Sequence, residues 1–200
     1  MTLAYVIGGQ YWGPNTSTDM QTWNPTNDEW VVYNDLIQDN DGDSFMLRNF
    51  GIAESQGNIF IIGGSKTFGD TSKNVSYSAD IYMLDTTTVT EGSNPKLEKV
   101  GTLPFAVANC SVVAYKGFVY IVGGMTETGP TNAFQVFNPV TKAVSQSTNT
   151  LPVYGYGVSC AVIDDGKLLF GGAGRYGEFD GNNWSYFNSS RLCIGDMPTV

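Results

Sequence analysis

The sequence contains no histidine, and this absence excludes several kinds of functional site. A Ser-His-Asp or Cys-His catalytic group uses an imidazole as its base. Zinc and copper sites in proteins commonly rely on histidine ligands. No other side chain has an unperturbed pKa that places its charge change near neutral pH. We therefore expect no hydrolytic triad, no histidine-bound metal and no cofactor.

Basic residues are also scarce, with 10 Lys and Arg against 19 Asp and Glu, which gives a formal net charge of −9. Nucleic acids and anionic membranes are held by Lys and Arg, so neither is expected as a partner. No segment reaches the roughly 18 consecutive apolar residues of a membrane helix, so we expect no membrane insertion by this stretch. No signal peptide is visible after Met1.

The sequence does contain a repeated apolar run that ends in two glycines. The run occurs four times, as YVIGG at 5–9, IFIIGG at 59–64, FVYIVGG at 118–124 and KLLFGG at 167–172. A recurrence of about 50 residues indicates a repeat architecture. Each run is too short for a helix and rich in strand formers, so it predicts a strand buried on both faces. The glycines permit a left-handed backbone or a close approach of neighbouring chain.

With the turns that follow it, this doublet resembles the kelch repeat. The turns that carry the resemblance are Trp23-Asn24-Pro25, Leu84-Asp85, Phe137-Asn138-Pro139 and Phe187-Asn188. Leu-Pro corners at Leu103-Pro104 and Leu151-Pro152 then precede the next repeat. The resemblance spans essentially the whole chain. It implies an all-β, kelch-type β-propeller built of four-stranded antiparallel blades.

The resemblance divides residues 1–200 into about four blades, the first without its inner strand. The predicted blades are 1–36, 45–103, 105–151 and 153–197. In the second blade, Phe45–Glu54 is predicted as one strand and Ser65–Ser78 as a loop. In the fourth, Trp184–Asn188 and Arg191–Ile194 are predicted as the third and fourth strands.

An open arc of four blades would leave strand edges and blade faces uncovered. We therefore expect these residues to be part of a longer propeller. The alternative is a small ring whose missing inner strand comes from the C-terminal tail or from a partner chain.

The three cysteines are odd in number and show no C-x-x-C spacing. Cys110 and Cys160 each lie an even number of residues before the second glycine of their doublet. They are therefore predicted to be apolar thiols on equivalent sides of equivalent strands, buried in neighbouring blades. A disulfide that involves Cys193 stays open.

In kelch propellers, partners and ligands bind at the rim formed by the loops between the second and third strands and between successive blades. The resemblance places eleven residues at this rim: Tyr11, Trp12, Arg48, Lys66, Phe68, Thr126, Glu127, Tyr154, Tyr156, Arg175 and Tyr176. Exposed aromatic side chains beside arginine are typical of binding hot spots. The competing interpretation is that each aromatic packs on its own loop.

Asp39, Asp41 and Asp43 alternate as calcium ligands do in a D-x-D-x-D loop. Ser44 stands where that motif has glycine, and no glutamate closes the loop, so an ordinary acidic turn is the preferred interpretation. Asn15 and Asn74 begin glycosylation sequons in long loops. They favour an extracellular or cell-surface protein, with a cytoplasmic location as the alternative.

The residues support neither of two kinds of propeller enzyme. Galactose-oxidase-like copper sites need histidine, and sialidases need an arginine triad and S-x-D-x-G-x-T-W boxes, whereas the segment Ser17–Trp23 lacks the glycine. We expect a non-catalytic protein-interaction or structural scaffold module that binds a protein partner or other copies of itself. The alternatives are an extracellular carbohydrate-binding propeller and a fragment of a propeller enzyme whose active site lies in other blades.

Overall fold

The computed structural model describes residues 3–8, 19–34, 36, 46–67, 75–151, 154, 156–163, 167–172, 176–179, 184–187 and 193–196. These residues form antiparallel β-sheets that follow one another along the chain as propeller blades. Blade 1 contains β1 (Ala4–Ile7), β2 (Met20–Asn24) and β3 (Glu29–Tyr33). Blade 2 contains β5 (Gly51–Ser55), β6 (Asn58–Ile62), β9 (Asp80–Asp85) and β10 (Glu98–Thr102).

Blade 3 repeats the four-stranded order of blade 2. It contains β11 (Ser111–Tyr115), β12 (Phe118–Thr126), β13 (Gly129–Phe137) and β14 (Val144–Thr150). Blade 4 contains β15 (Val158–Ile163), β16 (Lys167–Gly172) and β19 (Cys193–Asp196). Two small sheets lie outside the blades, one of β4 (Met46–Arg48), β7 (Ser65–Thr67) and β8 (Val75–Tyr77), the other of β17 (Tyr176–Phe179) and β18 (Trp184–Phe187).

The second strand of blade 2 is buried on both faces, as its apolar run predicts. Successive side chains of a strand point to opposite faces. Ile59 and Ile61 of β6 therefore enter the core shared with blade 1, whereas Phe60 and Ile62 enter the core shared with blade 3. Burying each of these side chains contributes roughly 1.5–3 kcal/mol.

The core between blades 2 and 3 shows how neighbouring blades interlock. The rings of Phe60 and Phe137 meet edge to face with their centroids 5.4 Å apart. Val119 and Ile121 of β12 enter this core, while Tyr120 and Val122 of the same strand enter the core between blades 3 and 4. The apolar runs of β6 and β12 thus form the centres of blades 2 and 3.

The turns between strands have the residues that their geometry requires. Gln56-Gly57 and Lys116-Gly117 join the first two strands of blades 2 and 3, and all four have positive φ, as a two-residue hairpin turn demands. At the same end of the blades, Asn24 and Asn138 accept backbone N–H groups of Thr26 and Val140 on their side-chain oxygens. These are the predicted turns of the kelch pattern.

The first strand of blade 2 differs from the prediction. Phe45–Glu54 was predicted as one strand, but β4 ends at Arg48 and β5 begins at Gly51. Asn49 between them has a φ of 58°, a left-handed conformation that asparagine tolerates. The break sends β4 to pair with β7 rather than with β6. The predicted loop Ser65–Ser78 likewise contains the paired strands β7 and β8.

The outer part of blade 4 also differs from the prediction. Trp184–Asn188 was predicted as the third strand, but β18 pairs with β17 in a separate hairpin. The third position, beside β16, is taken by β19, where Leu168 faces Gly195. The local pattern identified strand-forming residues but not their partners, because the same alternation fits any neighbouring strand.

Candidate functional site

The hairpin of β12 and β13 extends beyond its blade to form one wall of a surface groove. Its tip is the two-residue turn Glu127-Thr128, followed by Gly129 with a φ of 124°. The hydroxyl of Thr126 donates to the carbonyl of Gly129 at 2.9 Å and accepts the N–H of Thr128 at 3.3 Å. These bonds hold the tip in one conformation.

The segment that leads from blade 2 to blade 3 forms the second wall and carries Phe105 and Ala106. The N–H of Phe105 donates to the side-chain oxygen of Gln135 at 3.2 Å. Gln135 is buried in the middle of β13, so it ties this segment to the hairpin. On either side, Leu103 donates to the carbonyl of Ala79 and Val107 to that of Ser78, at 2.7 and 3.1 Å.

The connection from blade 3 to blade 4 forms the third wall. The N–H of Leu151 donates to the carbonyl of Asn132 at 2.7 Å, and the Asn132 amide returns a bond to the Leu151 carbonyl at 3.0 Å. Gly157 then donates to the carbonyl of Asn109 at 2.9 Å. Between these anchors Tyr154 is 70% exposed.

The three walls enclose an open groove of about 460 Å³, which we call the blade-3 groove. It is lined by Phe105, Ala106, Thr126, Glu127, Thr128, Pro130, Thr131 and Tyr154. The described lining offers aromatic and apolar surface, four hydroxyls from three threonines and Tyr154, and one carboxylate. Such a surface can stack against a ligand and form hydrogen bonds with it. Among the described lining residues, Glu127 is the one acidic group, whereas glycoside hydrolysis commonly uses a pair of carboxylates.

The predicted rim residues are only partly brought together. Thr126, Glu127 and Tyr154 line the blade-3 groove, and Tyr156, 49% exposed, lies on the same connection as Tyr154. Arg48 and Lys66 lie on the small sheet of β4, β7 and β8. The backbone of Tyr176 lies in β17. The remaining rim candidates lie outside the described residues: Tyr11, Trp12, Phe68 and Arg175.

Lys66 belongs to a polar cluster that the sequence did not reveal. Its ammonium group forms an ion pair with Asp80 and a 3.0 Å hydrogen bond with the Tyr82 hydroxyl. Lys99 pairs with the other carboxylate oxygen of Asp80 at 2.6 Å. Burial opposes ionisation of Asp80, but hydrogen bonds from Lys66 and Lys99 outweigh it and lower the pKa of that carboxyl. The cluster holds β7, β9 and β10 together.

Two cysteines lie on equivalent sides of their blades, as predicted, but only Cys110 is fully buried. Cys110 is buried in the core between blades 2 and 3, and Cys160 is partly buried against the core between blades 3 and 4. Both therefore face the preceding blade, and neither forms a disulfide. Burial raises the pKa of each thiol to about 12. Of Cys193, only the backbone in β19 is described.

The acidic loop and the two glycosylation sequons stay predictions. Asp39, Asp41 and Asp43 lie outside the described residues, as do the sequon residues Asn15 and Asn74. Within the described part of the chain, no three acidic or cysteine side chains are grouped closely enough to hold a metal ion. In the same part, no helix is long and apolar enough to cross a membrane.

Several groove residues were missed by reasoning from sequence. Phe105 and Ala106 follow the Leu103-Pro104 corner, which marks the junction between blades and could have indicated them. Thr128, Pro130 and Thr131 belong to the extension of the β12–β13 hairpin beyond the apolar run. Gly129, Pro130 and Asn132 in this extension are residue types that strands disfavour, so the extension could not be foreseen.

Comparison with known proteins agrees with the fold. Residues 106–149, which form blade 3, match the family model for the Kelch motif. The chain contains a kelch repeat. Its fold is also similar to the solved structure of YjhT, with a TM-score of 0.64 at 15% sequence identity over 84% of this chain. A sequence search of curated proteins gave no significant match.

The fold is therefore that of a kelch-type β-propeller, as the Gly-Gly doublets predicted. The match spans 55% of the YjhT chain, so this chain corresponds to about half of that structure. YjhT is one of 156 solved chains with significant similarity. A fold that occurs so widely does not by itself select a function, which must be argued from the site.

Proposed function

We propose that this chain is a non-catalytic interaction module of the kelch-propeller type, which binds a protein partner at the blade-3 groove. The observation that carries the proposal is the exposed ring of Tyr154 beside a groove whose three walls are each fixed by hydrogen bonds. A tyrosine side chain has only two χ angles, so it loses little conformational entropy when a partner binds. Kelch propellers commonly act as scaffolds or interaction modules, which agrees with this assignment.

The composition of the groove favours a polar partner surface with apolar anchors. Phe105, Pro130 and Tyr154 supply apolar area, and the Thr128 and Thr131 side chains supply hydroxyl groups. Glu127 is the charged residue of the described lining, and the net charge of the chain is −9. A partner with basic groups near its anchor would therefore associate faster, and its association rate would fall with salt.

The test compares wild-type protein with Tyr154→Ala and with a matched control, Val140→Ala. Val140 is 69% exposed and lies in the turn at the opposite end of blade 3, so its truncation leaves the groove intact. Proteins from the natural source that bind each immobilised variant are quantified by mass spectrometry. We expect a set of partners that Tyr154→Ala loses and Val140→Ala keeps. Equal binding by all three proteins would refute the role of the groove.

A carbohydrate ligand is the second candidate, because an exposed tyrosine beside hydroxyls and a carboxylate also suits a sugar ring. The same three proteins on a glycan array decide between the two. Binding to glycans that Tyr154→Ala abolishes would favour this candidate over the protein partner. No glycan binding by wild type would remove it.

We also propose that the protein enters the secretory route, on the strength of the sequons at Asn15 and Asn74. The test is the mass of the protein from its natural source before and after enzymatic removal of N-glycans. A fall in mass supports the proposal. An unchanged mass would favour the cytoplasmic alternative.

A further inference from the structure

The hydroxyl protons at the tip of the blade-3 groove are used inside the tip itself. Thr126 donates its hydroxyl proton to the carbonyl of Gly129, and its oxygen lies 3.0 Å from the hydroxyl of Thr128. Because Thr126 has no second proton, Thr128 must be the donor in that pair. Towards a ligand, these two threonine side chains can therefore only accept hydrogen bonds.

Glu127 lies between the two threonines and is exposed. Within the described part of the chain, its carboxylate forms neither an ion pair nor a hydrogen bond. An ionised carboxylate is also an acceptor without a proton to donate. The tip thus presents a row of hydrogen-bond acceptors with a negative charge at its centre, and a ligand that matches it must supply donors and positive charge.

Aromatic rings line the two walls opposite the tip. Phe105 lies partly buried on the segment between blades 2 and 3, and Tyr154 lies exposed on the connection from blade 3 to blade 4. The face of such a ring attracts a cation, most often the planar guanidinium group of arginine. A guanidinium can also pair with a carboxylate through its N–H groups. The groove therefore combines the two kinds of surface that a guanidinium recognises.

The edges of the β12–β13 hairpin are poorly suited to adding a strand of a partner. Pro130 stands opposite Met125 and has no N–H to donate. Further along the same edge, the carbonyl of Asn132 already accepts the N–H of Leu151. On the other edge, Met125 exchanges both of its backbone bonds with Ala108. A partner would therefore engage this groove through a side chain rather than through main-chain pairing.

We propose that the blade-3 groove takes an arginine side chain of the protein partner, with its guanidinium group against the ring of Tyr154 and hydrogen-bonded to the carboxylate of Glu127. This assignment rests on the proposed function, because it names the chemistry that the same groove recognises. A guanidinium has five N–H donors, no acceptor and a permanent positive charge, which complements the row of acceptors. Lysine is a poorer ligand, since its ammonium group is compact and strongly hydrated.

The first step of the test is selection from a displayed library of random peptides on immobilised wild-type protein. The same selection on Tyr154→Ala serves as the reference, because a chain with a net charge of −9 also attracts basic peptides without a specific site. We expect peptides that wild type enriches and Tyr154→Ala does not. These peptides should carry arginine at one shared position.

The second step compares three versions of the best selected peptide, with arginine, lysine or citrulline at that position. Citrulline keeps the planar shape of arginine but has no charge. We expect citrulline to weaken binding to wild type by about tenfold and lysine by about fivefold. In Glu127→Gln, the arginine and citrulline peptides should differ by about twofold or less, because the charged partner of the guanidinium is removed.

Glu91→Gln is the matched control for the loss of one negative charge. Glu91 is exposed in the connection between β9 and β10. That connection lies at the opposite end of the blades from the groove, where Thr86 bonds to the carbonyl of Gly57 in the first hairpin turn of blade 2. Glu91→Gln should therefore bind the three peptides as wild type does.

The outcomes distinguish a failure of this assignment from a failure of the proposed function. Peptides that depend on Tyr154 but share no arginine would overturn the assignment and leave the groove as a protein-binding site. Equal binding of the three peptides to wild type would do the same. An arginine preference that Glu127→Gln leaves unchanged would also overturn the assignment, since the guanidinium would lie elsewhere. No selection that depends on Tyr154 would overturn both.

Discussion

Gly64 donates its backbone N–H to the carbonyl oxygen of Val107 at 2.8 Å. The doublet of blade 2 is thereby joined to the segment that leads into blade 3. The same segment meets the doublet of blade 3, because Ala108 exchanges backbone hydrogen bonds with Met125 at 2.7 and 2.9 Å. A kelch doublet therefore does more than end a strand. Its glycines let the connection between blades come close to the backbone of the strand.

Replacing Gly63 should cost far more stability than replacing a glycine in open space. An added Cβ on Gly63 would lie 2.4 Å from the Val107 oxygen, whereas one on Gly57 would meet nothing within 4 Å. Both residues have a left-handed φ, so both Ala variants carry that strain, about 1–2 kcal/mol. We expect Gly63→Ala to lower the free energy of unfolding, measured in urea, by about 1–3 kcal/mol more than Gly57→Ala does. Equal losses would contradict a packing role for the doublet.

The doublets also explain which parts of the fold were predictable. A strand buried on both faces needs apolar residues at every position, and this local rule identified β6 and β12 from their own residues. The Leu-Pro corners could also be recognised from a few residues. Leu103 and Leu151 are both buried where their blades end. Features set by one short segment could be read from the sequence.

Features that depend on which strand pairs with which could not be read from the sequence. Nothing in Met46–Arg48 indicates that it pairs with β7, and nothing in Cys193–Asp196 indicates that it pairs with β16 ahead of Trp184–Phe187. The blade-3 groove also depends on contacts between distant segments. Its walls come from three connections, held by bonds such as that from Phe105 to Gln135, which join residues distant in sequence. Thr126, Glu127 and Tyr154 were placed at the rim only through the kelch resemblance.

The contact between Gly51 and Val112 should appear as a coupling between two substitutions. Gly51 is not in the left-handed region, so Gly51→Ala tests the collision with Val112 alone. We expect overpacking in Gly51→Ala to lower the free energy of unfolding by about 1–3 kcal/mol. Val112→Ala removes Cγ2, the atom nearest to the added Cβ, so the double variant should be more stable than the sum of the two losses indicates. Additive losses in urea unfolding would show that the inner strands shift apart without cost.

The two described thiols should be unreactive in the folded protein. With the pKa of Cys110 and Cys160 raised to about 12, only about one molecule in 10⁴ carries the reactive thiolate at pH 8. Peptide mapping after iodoacetamide treatment should find both cysteines protected without urea and modified in urea. Modification of Cys110 at equal rates in both conditions would show that blades 2 and 3 separate readily.

The ion pairs of Asp80 should make stability depend on acid pH. Hydrogen bonds from Lys66 and Lys99 outweigh burial and lower the pKa of Asp80 below its usual value near 3.8. The folded state therefore binds the proton more weakly than the unfolded state does. The resulting stabilisation is present above the unfolded pKa and is lost as pH falls through the folded pKa. Asp80→Asn removes this contribution and should cost about 1–3 kcal/mol at pH 7.

Comparison with Asp80→Asn shows in which direction pH changes the stability of the wild-type protein. Wild type should lose stability faster than Asp80→Asn as pH falls below about 4, so the difference between them should narrow. Urea unfolding at pH 7, 5, 4 and 3 measures that difference. Lys66→Met should show a smaller pH dependence than wild type, because Asp80 then keeps Lys99 as its remaining cationic partner among the described residues. The difference in stability between wild type and Asp80→Asn could instead stay constant from pH 7 to pH 3. Asp80 would then have the same pKa in the folded and unfolded states, and the cluster would act through packing rather than charge.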